Sequence, residues 1–148
     1  MMNRRVVENQ AGFTLLELMF VMAIASILAV IALPIYFDFS TRAKVSEGVN
    51  QMGSIKTKVT ETYYSSGVLP ADNSSAGMSA AADYATDKIT QIYLGTGGVI
   101  TVEFAIPELG AGNLLSFRPT PVDGGVAWTC EIPAVNGVPE AYVPPECR

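Results

Sequence analysis

From residue 13 to residue 37 the chain carries one charged side chain, Glu17, in a segment that opens "FTLLELMFVMAIASILAV". Thr14 and Ser26 are the only small polar residues in it. A run of about 25 residues spans roughly 37 Å as a helix, enough to cross a hydrocarbon core with some tilt. An acid at the centre of a membrane helix costs about 2.5–3.5 kcal/mol on insertion scales. Glu17 therefore needs a reason to be there. After Asp38 the sequence reads as water-soluble, so the chain has room for one domain of ordinary size plus this apolar appendage.

Charge and residue usage exclude several function classes. The formal net charge is −5; residues 1–12 carry Arg4, Arg5 and Glu8, and without them it is −6. Strong nucleic-acid binding is not expected, because phosphate neutralisation needs a concentrated basic face. Arg42, Lys44, Lys56 and Lys58 fall near helical spacing and read as ordinary solvated helix faces. The chain has no histidine, which removes imidazole base catalysis, Ser/His triads and His-ligated metals. No catalytic residues, cofactor or metal site are expected. Cys130 and Cys147 do not form a CxxC pair. Free buried thiols are one reading, but Pro- and Gly-rich flanks favour a disulfide and an oxidising compartment. It would contribute about 3 kcal/mol in the chain-entropy model.

Three readings compete for the N-terminus. A cleaved secretory signal has Arg4 and Arg5 as its basic region and "AIAS" as a cleavage pattern ending at Ala25, yet Glu17 weakens it and the apolar run continues past the cut. An uncleaved signal anchor fits the length and, by the positive-inside rule, puts the cysteines outside. It leaves Glu17 unexplained. A cut between Gly12 and Phe13 explains it: the new Phe13 amine is cationic, and Glu17 lies about one helical turn on. The acid could then pair with its own amine or with that of a staggered neighbouring chain, which would fix axial register.

The segment "GFTLLELM" after a short basic leader resembles the class III signal of type IV pilins. "ALPIYFDFSTRAKVSEG", beginning at Ala32, resembles the continuation found in type IVa pilins, as do the cysteines within "WTC" at Trp128 and "PPEC" at Pro144. The resemblance implies residues 1–12 as leader, 13–37 as transmembrane and assembly helix, and 38–148 as a globular head that includes the second half of the long helix. It implies prepilin peptidase cleavage after Gly12, N-methylation of Phe13 and neutralisation of a neighbour's N-terminus by Glu17. Pro34 would be the helix kink, since it has no N–H for the Val30 carbonyl.

Beyond the span the periodicity stays helical. Val45, Val49, Met52, Ile55, Val59 and Tyr63 recur at steps of three and four and form one apolar stripe, so a helix from Phe13 to about Tyr64 is expected. Ser65, Ser66 and Gly67 are its stop signals. Residues 68–87 read as a surface loop with a short helical turn over 79–84. Asp72, Asn73, Asp83 and Asp87 lack the alternating oxygen pattern of a calcium loop. "ITQIYL" and "VITVEFAI" flank the turn "GTGG", and "LLSFRPT" and "VAWTCEI" flank a second turn at residues 123–125, which predicts a four-stranded antiparallel meander. The tail, residues 133–148, looks too poor in apolar residues to pack alone, and a disulfide would pin it to the sheet edge.

The expected fold is α+β: a long N-terminal helix, membrane-spanning then amphipathic, packed on a four-stranded sheet with a C-terminal disulfide loop. The expected function is structural, that of a type IV pilus subunit held in the inner membrane and then polymerised into a surface filament for motility, adhesion or DNA uptake. Its partners would be other pilin subunits, prepilin peptidase and the inner-membrane assembly machinery. The alternatives are a minor pilin or type II secretion pseudopilin, and a secreted binding module cleaved after Ala25.

Overall fold

The computed structural model describes residues 12–148; Arg4 and Arg5 of the expected leader lie outside the described residues. Helix α1 spans Leu15–Ser66 without a break at Pro34. The described residues fall into two compact units, divided between Phe37 and Asp38.

In the first unit α1 has no buried residue, and its large apolar side chains, from Leu15 at 76% exposure to Phe37 at 58%, face outward. One helix among the described residues is long and apolar enough to cross a membrane.

In the second unit α1 continues with one face buried. Thr41, Val45, Gly48, Met52, Ile55 and Val59 are its buried residues, a spacing of three to four that places them on one stripe. Val49 and Tyr63, also expected on that stripe, are half-buried. Four strands follow as an antiparallel meander in the order β1-β2-β3-β4: β1 Ile89–Gly95, β2 Val99–Phe104, β3 Leu114–Val122 and β4 Gly125–Glu131. The β1–β2 turn is closed by Gly97 and Gly98, both at positive φ, where a side chain would strain the backbone. Alternate residues Ile100, Val102 and Phe104 of β2, with Leu115 and Phe117 of β3, join the helix stripe in one core. On the opposite face the Thr101 and Ser116 hydroxyls pair at 3.2 Å. Beyond Phe117, β3 pairs with β4 alone, so the missing donors of Pro119 and Pro121 are tolerated there.

Residues 68–87 contain the expected helical turn, a 3-10 helix at Ala81–Tyr84. The loop is more than surface, since Ala76 and Met78 are buried in the core. Asn73 ties it to the free edge of β1: its Oδ1 accepts from the Leu94 N–H at 2.7 Å, and its Nδ2 donates to the Ile92 carbonyl at 3.1 Å. The side-chain amide thus completes the ladder as a further strand would.

The tail departs from the sequence expectation. Cys130 and Cys147 form the disulfide, with Cα atoms 4.8 Å apart. Val138 and Val143 are nevertheless fully buried in the core, and the Leu114 N–H and carbonyl bond to the Asn136 carbonyl and the Val138 N–H at 2.8 and 2.9 Å. Tyr142 donates its hydroxyl to Asp38 Oδ1 at 3.2 Å. Two isolated valines among prolines show no period; pairing with β3 docks Val138, and Val143 is buried in the core further along the tail.

Candidate assembly site

The start of α1 is organised by Thr14. Its Oγ1 accepts from the Glu17 backbone N–H at 3.2 Å, and its carbonyl accepts from the Leu18 N–H at 3.2 Å. This is an N-cap, which satisfies one of the donors left open at a helix N-terminus. The Thr-x-x-Glu spacing is that of a capping box and could have been read from the sequence. The reciprocal bond, in which the Thr14 N–H would donate to the Glu17 carboxylate, is not made among the described residues, so the carboxylate stays exposed in the first turn of the helix. There the partial positive charge of the helix N-terminus favours an anion. Phe13 lies immediately before the cap and is exposed.

Past the cap, Leu16, Met19, Phe20 and Ala23 line a shallow apolar recess of about 320 Å³ on one side of the helix. Ser26 donates its hydroxyl to the Met22 carbonyl at 2.7 Å, so it presents no free donor to an apolar medium. Leaving this much apolar surface in water is unfavourable at about 25 cal/mol per Å², so lipid or other helices must cover it.

The lysines expected on solvated faces are placed otherwise in two cases. Lys44 pairs with Glu108 at 2.6 Å, and the hydrogen bond from Lys44 holds the Glu108 carboxyl below its ordinary range. Lys56 lies over the Phe117 ring, 4.2 Å from its centroid, and 5.8 Å from that of Trp128, and burial pushes its pKa down. Asp72 caps its own loop by accepting from the Ser75 N–H at 2.7 Å, and Asn73 is committed to β1.

An apolar helix with a capped, acid-bearing N-terminus, followed in the chain by a disulfide-closed α+β head, defines a class of protein whose exposed helix must be covered by lipid or by other helices. Two family models match: Pilin (bacterial filament) over residues 41–148, and the prokaryotic N-terminal methylation motif over residues 8–33. The chain is 39% identical over 146 residues to the fimbrial protein EcpC of Eikenella corrodens, covering 95% of this chain and 92% of that one. It is 36% identical over 137 residues to the type IV major pilin protein PilE of Neisseria gonorrhoeae, covering 90% and 81%. A fimbrial protein of Neisseria meningitidis serogroup A is 39% identical over 127 residues, covering 84% and 74%. The chain belongs to the pilin family, a family of structural proteins, and is a structural subunit of a type IV pilus. The minor-pilin or pseudopilin alternative and the secreted-module alternative are not favoured. As a pilin it is a membrane-anchored precursor that assembles with other pilin subunits into a filament.

Proposed function

We propose that prepilin peptidase cuts between Gly12 and Phe13, that the Phe13 amine is methylated, and that Glu17 neutralises the Phe13 amine of a neighbouring subunit during assembly. The observation that carries this reading is the exposed Glu17 carboxylate in the first turn of α1, without an ion pair among the described residues. Methylation retains the positive charge of the amine. In a low-dielectric environment, leaving either charge unpaired costs several kcal/mol, and pairing between chains sets their axial register while apolar helices cover one another.

On this reading residues 1–12 are the leader, 13–37 the membrane and assembly segment, and 38–148 the head. Pro34 loosens α1, because no N–H is available for the Val30 carbonyl. The precursor waits in the inner membrane with its head outside, and inner-membrane machinery extracts it. The chain itself performs no catalysis. Glu17→Ala tests the pairing: processing and head stability stay at wild-type levels, while surface filaments fall at least tenfold. Wild-type amounts of filament in Glu17→Ala would sink the pairing mechanism.

A further inference from the structure

Residues 38–148 carry twelve acids against seven bases, so heads brought together in a filament repel one another unless cations face the neighbour. Most cations are already committed within the head. Lys44 pairs with Glu108, Lys88 with Glu47 and Asp87, and Arg118 with Glu131; Arg148 donates to the Val143 carbonyl. Arg42, Lys56 and Lys58 remain, all on α1 and none in an ion pair among the described residues. Arg42 and Lys58 are exposed, whereas Lys56 is half-buried.

Lys56 has the best-formed surroundings of the three. It borders a groove of about 430 Å³ between α1, the β3–β4 pair and the disulfide, with Asn50, Trp128, Thr129 and Glu146 around it. Gly53 keeps the helix side open, since a Cβ there would meet nothing within 4 Å. The Phe117 and Trp128 rings hold the ammonium in place, so an incoming anion need not pay to order a long flexible side chain. Burial has also removed part of its water, which strengthens its attraction for a carboxylate. The Asn50 amide and Thr129 hydroxyl add donors.

We infer that this groove is a contact between copies, in which Lys56 receives a carboxylate from the head of a neighbouring subunit of the same filament. The occupant is a second copy because the filament puts copies side by side and the head's surplus charge is negative. Glu61, Asp123 and Glu140 are exposed acids without a hydrogen bond or ion pair among the described residues, and one of them supplies the carboxylate. Their attraction to Lys56 converts part of the head-to-head repulsion into a specific contact. The inference rests on the pilin reading and adds to it a docking residue beyond the apolar part of α1.

The test uses filaments regrown after shearing by cells shifted from light to heavy nitrogen part-way through growth, so that each filament draws on a pool holding both isotopes, linked with a water-soluble carbodiimide that joins an amine to a carboxylate in direct contact. Mass spectrometry is expected to find mixed-isotope peptides joining Lys56 to Glu61, Asp123 or Glu140, at several times the yield for Lys58. Lys56→Gln filaments should fall apart at a salt concentration at least twofold lower than wild type, with Lys56→Arg close to wild type. Links from Lys56 found only within one isotope, as to Glu146 of its own chain, or no link from Lys56 at all, would overturn the inference. The wild-type linking result does not depend on any variant folding. Cells that make no filament of this chain would instead overturn the pilin reading.

Discussion

The ring of Phe104 rests against the backbone of α1 at Gly48, in space that any Cβ on that residue would occupy. Both residues are buried, and they join the helix to the second strand across the core. Gly48→Ala should destabilise the head by about 1–3 kcal/mol through overpacking, outweighing a helix-propensity gain of about 1 kcal/mol. Gly53→Ala should act with the opposite sign. Its Cβ meets nothing, so about 0.5–1 kcal/mol of stability is gained. Urea titration of the detergent-solubilised chain reads both, and a stabilising Gly48→Ala would contradict the packing.

Asn73 is the staple of the long loop. Asn73→Ala leaves the Leu94 N–H and Ile92 carbonyl without their side-chain partner and should cost about 1–3 kcal/mol. Amide exchange at Leu94 should accelerate by at least tenfold, while Val102 in the adjacent strand changes in proportion to global stability alone. Unchanged exchange at Leu94 would show that the loop does not guard this edge.

The tail should survive loss of its covalent link. Replacing both Cys130 and Cys147 with Ser should lower stability by about 3 kcal/mol in the chain-entropy model. Protection of the Val138 amide, bonded to the Leu114 carbonyl, should persist. Adding Val143→Ala, which empties a fully buried site, should cost about 2 kcal/mol more and expose the tail to proteolysis. Release of the tail on disulfide loss alone would show that its docking is secondary to the bond.

Acid should weaken the head in a defined window. Hydrogen bonds from Lys44 to Glu108, from Arg118 to Glu131, and from the Ser75 backbone to Asp72 hold these carboxyls below their ordinary pKa values. The unfolded chain therefore takes up protons first. Their contribution is complete above the ordinary carboxylate range, about pH 4–4.5, and is lost as pH falls through the depressed folded values. Being exposed, each contributes modestly. Glu131→Gln should lower stability slightly at pH 7 and flatten the acid limb of a urea-midpoint profile. An unchanged acid limb would exclude Glu131 as a contributor.

Much of this architecture was legible locally. The apolar run, the three-and-four stripe from Val45 to Val59 and the glycine turns between β-branched runs each carry their signal within a few residues, and they yielded α1 and all four strands. The disulfide was readable from its loop-like flanks. Features that depend on distant pairings were not. Gly48 reads as an ordinary helical glycine until Phe104 is placed against it, and Val138 and Val143 lack any period. Lys56 looked like one of four solvated bases, because the rings beneath it come from strands some sixty residues and more along the chain. At the candidate assembly site Glu17 stands out by charge alone, while the Thr14 cap that organises its turn is carried by the Thr-x-x-Glu spacing beside it.

The central claim is that a new chain end at Phe13 supplies the cation Glu17 requires. Intact mass and N-terminal sequencing of the protein sheared from the cell surface test it most directly. The account predicts a chain that begins at methylated Phe13 and runs to Arg148 with its disulfide intact. A surface protein that begins at Ser26, or that retains residues 1–12, would contradict it.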